Sequence, residues 1–138
     1  MVRMSLKNLL MLALSVLLVT GVVLTGGCAT TQIIKDVTPQ EAFTLIQDKP
    51  DIVIIDVRTP QEFAEGHIEG AINLDIYSET FRDELNKLDR NKTYLVYCLS
   101  GGRSAGALDI MTELGFREVY NMLGGINKWT AEGLPITE

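Results

Sequence analysis

The stretch Thr93-Tyr94-Leu95-Val96-Tyr97-Cys98-Leu99-Ser100-Gly101-Gly102-Arg103-Ser104 changes character twice within twelve residues. Thr93 to Tyr97 is rich in β-branched and aromatic residues without polar alternation, the pattern of a strand buried on both faces. Gly101 and Gly102 then let the backbone turn sharply and aim several N–H groups inward. From Ser104 to Leu114 the period becomes helical, with Leu108, Met111 and Leu114 on one inner stripe, and Gly115 stops the helix. A buried strand that passes through a glycine loop into a helix is the unit of a parallel α/β sheet.

The flanking sequence repeats that unit. Gln32 to Val37 is a short candidate strand, and Thr38-Pro39-Gln40-Glu41 has the form of a capping box with proline at the first helical position. The helix it opens is expected to reach Gln47 and to bury Ala42, Phe43, Leu45 and Ile46. Ile52-Val53-Ile54-Ile55 is a second fully buried strand, ending at Asp56. Pro60 to Glu65 fits one or two helical turns, and Ala71 to Leu74 a brief strand. Tyr77 to Leu88 has helical spacing at Phe81, Leu85 and Leu88. Val119-Tyr120 ends the sheet, and Ile126 to Thr130 adds a last turn of helix. The alternation implies an α/β fold, a parallel sheet with helices on both faces. Ligands of such sheets bind beyond the carboxyl ends of the strands, where Asp56 and Cys98 both fall.

Cys98 therefore lies at the start of a loop that leads into a helix. The loop amides and the positive end of the helix dipole favour a thiolate there, and would also cradle an anion. Arg103 adds a permanent charge suited to a sulfonate, phosphate or arsenate. Ser100 and Ser104 are candidate donors to a sulfur species on Cys98, although Ser104 is equally placed to cap its helix. Asp56 is read as support for the loop or as the counter-charge of Arg103. Arg58 either faces the pocket or pairs with an acid such as Glu62. The plainer reading of Cys98, a small buried hydrophobe after a strand, competes with the catalytic one.

Composition narrows the partners. Apolar residues make up 46% of the 138-residue chain and charged residues 22%, which is ordinary globular usage for one domain. The net charge of −6 becomes −8 once Arg3 and Lys7 are set aside. An acidic domain argues against nucleic acid. His67 is the single histidine and there is no Cys-x-x-Cys, so no metal and no cofactor is expected. Cys28 and Cys98 are the two cysteines. One disulfide is possible on number alone, but their surroundings suggest unrelated roles.

The amino-terminal segment differs from everything after it. Arg3 and Lys7 precede an apolar run of 16 residues, Leu9 to Leu24, followed by Thr25-Gly26-Gly27-Cys28-Ala29. These are the parts of a secretory signal. The run is short against the ~20 residues of a spanning helix. Thr25 to Cys28 resembles the lipobox of bacterial lipoproteins, in which the cysteine carries the lipid; Thr25 stands where leucine is usual. Residues 1–27 are thus expected to be a signal or membrane anchor, 28–35 a tether, and 36–138 the folded domain. Lipid on Cys28, an uncleaved anchor and plain secretion all place that domain outside the cytoplasm, at the cell envelope, if positive flanks stay inside.

Three ordered segments carry a resemblance over residues 33 to 137. They are Asp56-Val57-Arg58 with the run Pro60 to Ala71, the loop Cys98 to Ser104, and Gly124-Gly125-Ile126 with Trp129 and Gly133-Leu134-Pro135. Together they resemble the rhodanese family. The resemblance implies a five-stranded parallel sheet and a cysteine that cycles through a persulfide. A donor such as thiosulfate supplies the sulfur, and cyanide or a thiol removes it. It also implies that His67 is structural, that Trp129 is a core anchor and that Gly124 and Gly125 shape a turn. From Cys98 to Arg103 the loop has six residues, the count of rhodaneses. Related tyrosine phosphatases and arsenate reductases use one more, which leaves those activities as the lesser alternative. Leu99 stands where many members carry a basic or polar residue, and this points away from thiosulfate as preferred donor. A non-enzymatic carrier, sensor or docking module for sulfane sulfur is the other alternative. A tethered monomer is the default expectation.

Overall fold

The computed structural model describes residues 31–138. The elements are β1 (Ile33–Val37), α1 (Pro39–Asp48), β2 (Val53–Asp56), α2 (Pro60–Ala64), β3 (Ile72–Asn73), α3 (Phe81–Asn86), β4 (Thr93–Tyr97), α4 (Gly102–Glu113), β5 (Glu118–Met122) and α5 (Gly125–Ala131). The five strands form one sheet in the order β1-β5-β4-β2-β3, and every pairing is parallel. The sequence-based fold class is the observed one.

β4 lies at the centre, so its side chains are buried whichever way they point. Tyr94, Val96 and Cys98 enter one core with Phe81 and Leu85 of α3 and Ala107, Leu108 and Met111 of α4. Leu95 and Tyr97 enter the other, with Ala42 of α1 and Ile126 and Trp129 of α5. This is why the strand reads as an unbroken apolar run, and why each such side chain contributes about 1.5–3 kcal/mol by burial. Trp129 is 1% exposed, stacks edge-on against Phe43 at 5.9 Å and donates Nε1–H to the Pro135 carbonyl. It is the core anchor that the resemblance implied.

Boundaries moved where side chains competed for the backbone. The helix expected over 77–88 is only Phe81–Asn86, because Asp75 Oδ1 accepts the Tyr77 N–H and Ser78 Oγ the Thr80 N–H, turning the chain first. α4 starts two residues before Ser104, with Gly101 at φ +109° as its N-cap, so Ser104 does not cap the helix. β1 includes Ile33 to Lys35, the last three residues of the expected tether. β5 is longer than its Val119-Tyr120 kernel because Glu118, Asn121 and Met122 pair with β1. Cys28 and the apolar run lie outside the described residues. Among the described residues no helix is long and apolar enough to cross a membrane, and no cluster of His, Cys, Asp and Glu is arranged to hold a metal.

Candidate active site

Cys98 is the first residue beyond β4 and is 1% exposed. Its Sγ accepts the Gly101 N–H at 3.0 Å and the Ser104 hydroxyl at 3.5 Å. Burial opposes ionisation and is the largest single influence on the thiol. It is outweighed by the Ser104 hydroxyl and N–H together with the N–H groups of Gly101 and Ser100, which hold the thiol below its ordinary pKa. Ser104 thus acts through both side chain and backbone, whereas the exposed Ser100 contributes its N–H.

The inward aim of those amides depends on where the loop carbonyls go. The first turn of α5 supplies the answer. Ile126 N–H donates to Cys98 O at 2.9 Å and Asn127 N–H to Leu99 O at 3.1 Å. Two acceptors that would repel a thiolate are thereby turned away and consumed by a helix start that needs acceptors. Gly125 makes the approach possible. A Cβ there would lie 2.4 Å from Cys98 O and 2.6 Å from Leu99 O, at a φ of +57°. The Gly124-Gly125 turn therefore shapes the cysteine loop as well as its own helix.

The two arginines are engaged differently from the sequence-based expectation. Asp56 is not the counter-charge of Arg103; it accepts a backbone amide, as the supporting reading expected, but that amide and the guanidinium it grips belong to Arg58. Arg58 donates from its backbone N–H, Nε and NH2 to the Asp56 carboxylate at 2.7–3.0 Å, and from NH2 to Gly66 O at 2.7 Å. Asp56 is 0% and Arg58 4% exposed. Burial disfavours the guanidinium charge, but the Asp56 bonds and charge more than restore it, leaving the Arg58 pKa raised. Arg58 does not line a pocket for an anion; it ties the end of β2 to the segment that leads into β3. Asn73 completes the tie by donating to the carbonyls of Asp56 and Arg58.

Glu62 instead belongs to Arg103. Arg103 NH1 donates to Glu62 Oε2 at 2.8 Å and NH2 to Oε1 at 2.7 Å, a fork-to-fork pair. Arg103 binding, followed by the Thr59 bonds, holds the Glu62 carboxyl down at about 2 against the penalty of partial burial. The same bond to Glu62 raises the Arg103 pKa. Tyr77 lies alongside, its ring centre 5.7 Å from the guanidinium. Arg103 is thus a clamp between α2 and α4 rather than a free cation pointed into the cradle. Its charge still reaches Cys98 through space. This partnership was missed from the sequence, although a signal was there. Thr59-Pro60-Gln61-Glu62 repeats the capping sequence of Thr38 to Glu41 residue for residue. It marks Glu62 as a carboxylate fixed at a helix start.

The remaining residues sort simply. Leu99 is 38% exposed at the mouth and Gly102 is exposed, so the entrance carries an apolar side chain. His67 is half-buried, stacked on Phe63 at 3.7 Å, with Nδ1 against Phe63 O and its backbone bridged to Thr137. Its contacts are those of a structural histidine, and none of them is with the thiol. Cys98 is a free thiol.

Fold and site together define a parallel α/β domain that presents a buried cysteine in a backbone-amide cradle at the carboxyl end of its central strand. The comparisons agree. Residues 38–132 match the rhodanese-like domain, and the chain belongs to that family. A sulfurtransferase of Allochromatium vinosum is 30% identical over 103 residues, which cover 75% of this chain and 94% of that protein. Thiosulfate sulfurtransferase GlpE of Coxiella burnetii is 37% identical over 97 residues, 70% of this chain and 88% of that protein. Among solved structures, a rhodanese-related protein of Thermoplasma volcanium superposes with a TM-score of 0.66 at 32% identity, covering 75% of this chain and 97% of that one. A rhodanese-like domain protein of Staphylococcus aureus gives 0.64 at 32% identity, covering 75% and 99%.

Proposed function

We propose that the protein is a sulfurtransferase in which Cys98 carries the sulfur. The observation that supports this most is the Cys98 sulfur itself, buried yet surrounded by amide and hydroxyl donors that favour an anion. In the first half-reaction the thiolate attacks the sulfane sulfur of a donor. A Cys98 S–S bond forms, the donor S–S bond breaks and the donor leaves as an anion such as sulfite. In the second half-reaction a thiophilic acceptor takes the outer sulfur and the Cys98 thiolate is regenerated. The terminal sulfur of the persulfide is anionic, and the loop amides would stabilise it as an oxyanion hole does.

The cradle draws its positive potential from amides rather than from a free cation, because Glu62 occupies the Arg103 guanidinium. With Leu99 at the mouth, this favours a donor of low charge, such as an organic persulfide, over the dianion thiosulfate. The six-residue loop disfavours phosphatase or arsenate reductase chemistry. A carrier or sensor without rapid turnover is the second reading, supported by the pairing of Arg103 with Glu62, which among the described residues leaves the cysteine loop's own cation engaged.

The amino-terminal segment is read as a membrane attachment. Cys28 bears lipid or the apolar run stays uncleaved, and the domain sits in the cell envelope outside the cytoplasm, periplasmic or on the outer face of the cytoplasmic membrane, as a tethered monomer. Where Cys28 bears lipid, Cys98 has no partner thiol in the chain, and its persulfide must pass sulfur outward.

Mass spectrometry of the full chain from its own membrane, after exposure to thiosulfate or an organic persulfide, tests both readings. A +32 Da adduct on Cys98 and a lipid mass on Cys28 are expected, with transfer to cyanide lost in Cys98→Ser. Equal transfer by wild type and Cys98→Ser would sink the assignment.

A further inference from the structure

Two cations stand on the helices that bound the cysteine loop, Arg103 of α4 and Lys128 of α5. Arg103 is forked onto Glu62. Lys128 is exposed, and none of the ion pairs among the described residues includes it. Residues 1–30 contain no Asp or Glu.

The backbone decides where the Lys128 amine goes. Helical side chains lean toward the amino end of their helix, and the Lys128 stem runs back over Gly124. A Cβ on Gly124 would lie 2.7 Å from Lys128 Cβ, 3.2 Å from Cγ and 2.8 Å from Cδ. The glycine thus leaves open the groove that the stem fills. Gly124 is in turn the neighbour of Gly101, where a Cβ would lie 3.4 Å from Gly124 N. Gly101 N–H donates to Cys98 Sγ, and Asn127, the residue before Lys128, donates its N–H to Leu99 O. The amine, two bonds beyond Cδ, is therefore carried toward the rim of the cysteine loop. Glu132 lies four residues on, in the other direction along the chain.

The rim beside it is apolar. Leu99 in the loop is 38% exposed, and Leu123, which immediately precedes Gly124, is 41% exposed. Cys98 itself is 1% exposed, so a ligand presents its sulfur inward and leaves its other end at this rim. A ligand that meets both leucines and the amine has an apolar body between its sulfur and an anionic group. Thiosulfate has no such body, because its sulfonate is bonded directly to the sulfane sulfur. A carboxylate set a few carbons away from a thiol or persulfide sulfur fits.

We propose that Lys128 determines specificity at the Cys98 site by binding the carboxylate of a small organic persulfide donor or thiol acceptor. This rests on the sulfur-transfer reading above and names its substrate class. When such an acceptor reacts, its thiolate attacks the outer sulfur of the Cys98 persulfide. That S–S bond breaks, a new one forms on the acceptor, and the electron pair returns to Cys98 Sγ as the thiolate. Lys128 exchanges no bond and holds the far end of the acceptor.

The rim can be read without sulfur transfer. The full chain in neutral detergent is treated with para-(bromomethyl)benzoate or para-(bromomethyl)benzamide, and alkylation of Cys98 is timed by mass spectrometry of its peptide. Each reagent loses bromide to the thiolate, and the two differ only in carboxylate against carboxamide. Lys128→Gln should lower the benzoate-to-benzamide rate ratio roughly threefold, the scale of an exposed ion pair. High salt should lower the ratio in wild type, and Lys128→Arg should keep it. In transfer from persulfidated protein, the preference for mercaptopropionate over mercaptoethanol should fall by a similar factor in Lys128→Gln. A benzoate-to-benzamide ratio unchanged in Lys128→Gln overturns the proposal even where sulfur transfer proceeds. If the ratio falls but wild type passes sulfur to neither thiol, the sulfur-transfer reading fails and the carboxylate site stands.

Discussion

The two Thr-Pro-Gln-Glu boxes, Thr38 to Glu41 and Thr59 to Glu62, are the same four residues in nearly the same geometry. In each, the threonine N–H and hydroxyl donate to the glutamate, at 2.7 and 2.9 Å in the first and 3.0 and 3.0 Å in the second. In each, the glutamate N–H returns to threonine Oγ1 at 3.3 Å. The first does nothing beyond starting α1, and Glu41 is an exposed surface carboxylate. The second is seated on the buried Asp56–Arg58 pair, and its glutamate takes the guanidinium of Arg103 from the cysteine loop. Identical local chemistry thus becomes a helix cap in one place and a brace for the active loop in the other. The neighbours decide which.

The largest difference between the boxes should lie beneath them. Asp56→Ala leaves Arg58 buried without its counter-charge, which costs about 3–5 kcal/mol. Urea denaturation should show the loss as a lower midpoint at unchanged slope. Nothing comparable underlies Val37, so Val37→Ala should lose only a methyl-scale contribution of about 1–2 kcal/mol. Equal losses would mean that the second box has no special seat.

Glu62→Gln sharpens the comparison at the glutamates themselves. It weakens a fork-to-fork, charge-assisted pair whose side chains are 20% and 26% exposed. The expected loss is about 1–2 kcal/mol, reduced by the water that still reaches the pair. Because binding to Arg103 depresses the Glu62 pKa from 4.5 to about 2, this stabilisation is fully present above pH 4.5. It is lost as the pH falls through 2. Wild type and Glu62→Gln should therefore differ most at neutral pH and converge in acid. Glu41→Gln, at an exposed carboxylate held only by Thr38, should shift the midpoint less. A larger effect at Glu41 would reverse the assignment of roles.

The sequence made the first box legible and hid the significance of the second, and the reason is physical. Periodicity and capping are local, so α1, the buried strands and the carboxyl-end position of Cys98 could be read directly. The family resemblance added the strand count. The Glu62–Arg103 pair spans 41 residues, and no local pattern says which of several carboxylates an arginine will meet. The sequence reading therefore matches Asp56 with Arg103 and Glu62 with Arg58, and the sheet exchanges the partners: Asp56 sits at the end of β2 only two residues from Arg58. The shortening of the Tyr77–Leu88 helix has the same origin in short polar side chains, Asp75 and Ser78, that capture the backbone before a helix can. The docking of α5 on the cysteine loop carbonyls could not be read from either segment alone, although the paired glycines marked the place of close approach.

The smallest expected effect concerns the thiol rather than the fold. Both boxes leave Cys98 untouched, and its ionisation is governed by α4 and its loop. Ser104→Ala removes the hydroxyl that lies 3.5 Å from Sγ but keeps the Ser104 and Gly101 amides. One lost bond to an anion should raise the thiol pKa. The pH midpoint of iodoacetamide alkylation should move up with it, with less than about 1 kcal/mol of stability lost. Glu62→Gln should leave this midpoint nearly in place, because Arg103 acts on Cys98 only through space. If Glu62→Gln moved the midpoint and Ser104→Ala did not, the brace and the cradle would have exchanged roles, with the guanidinium rather than the loop donors holding the thiolate.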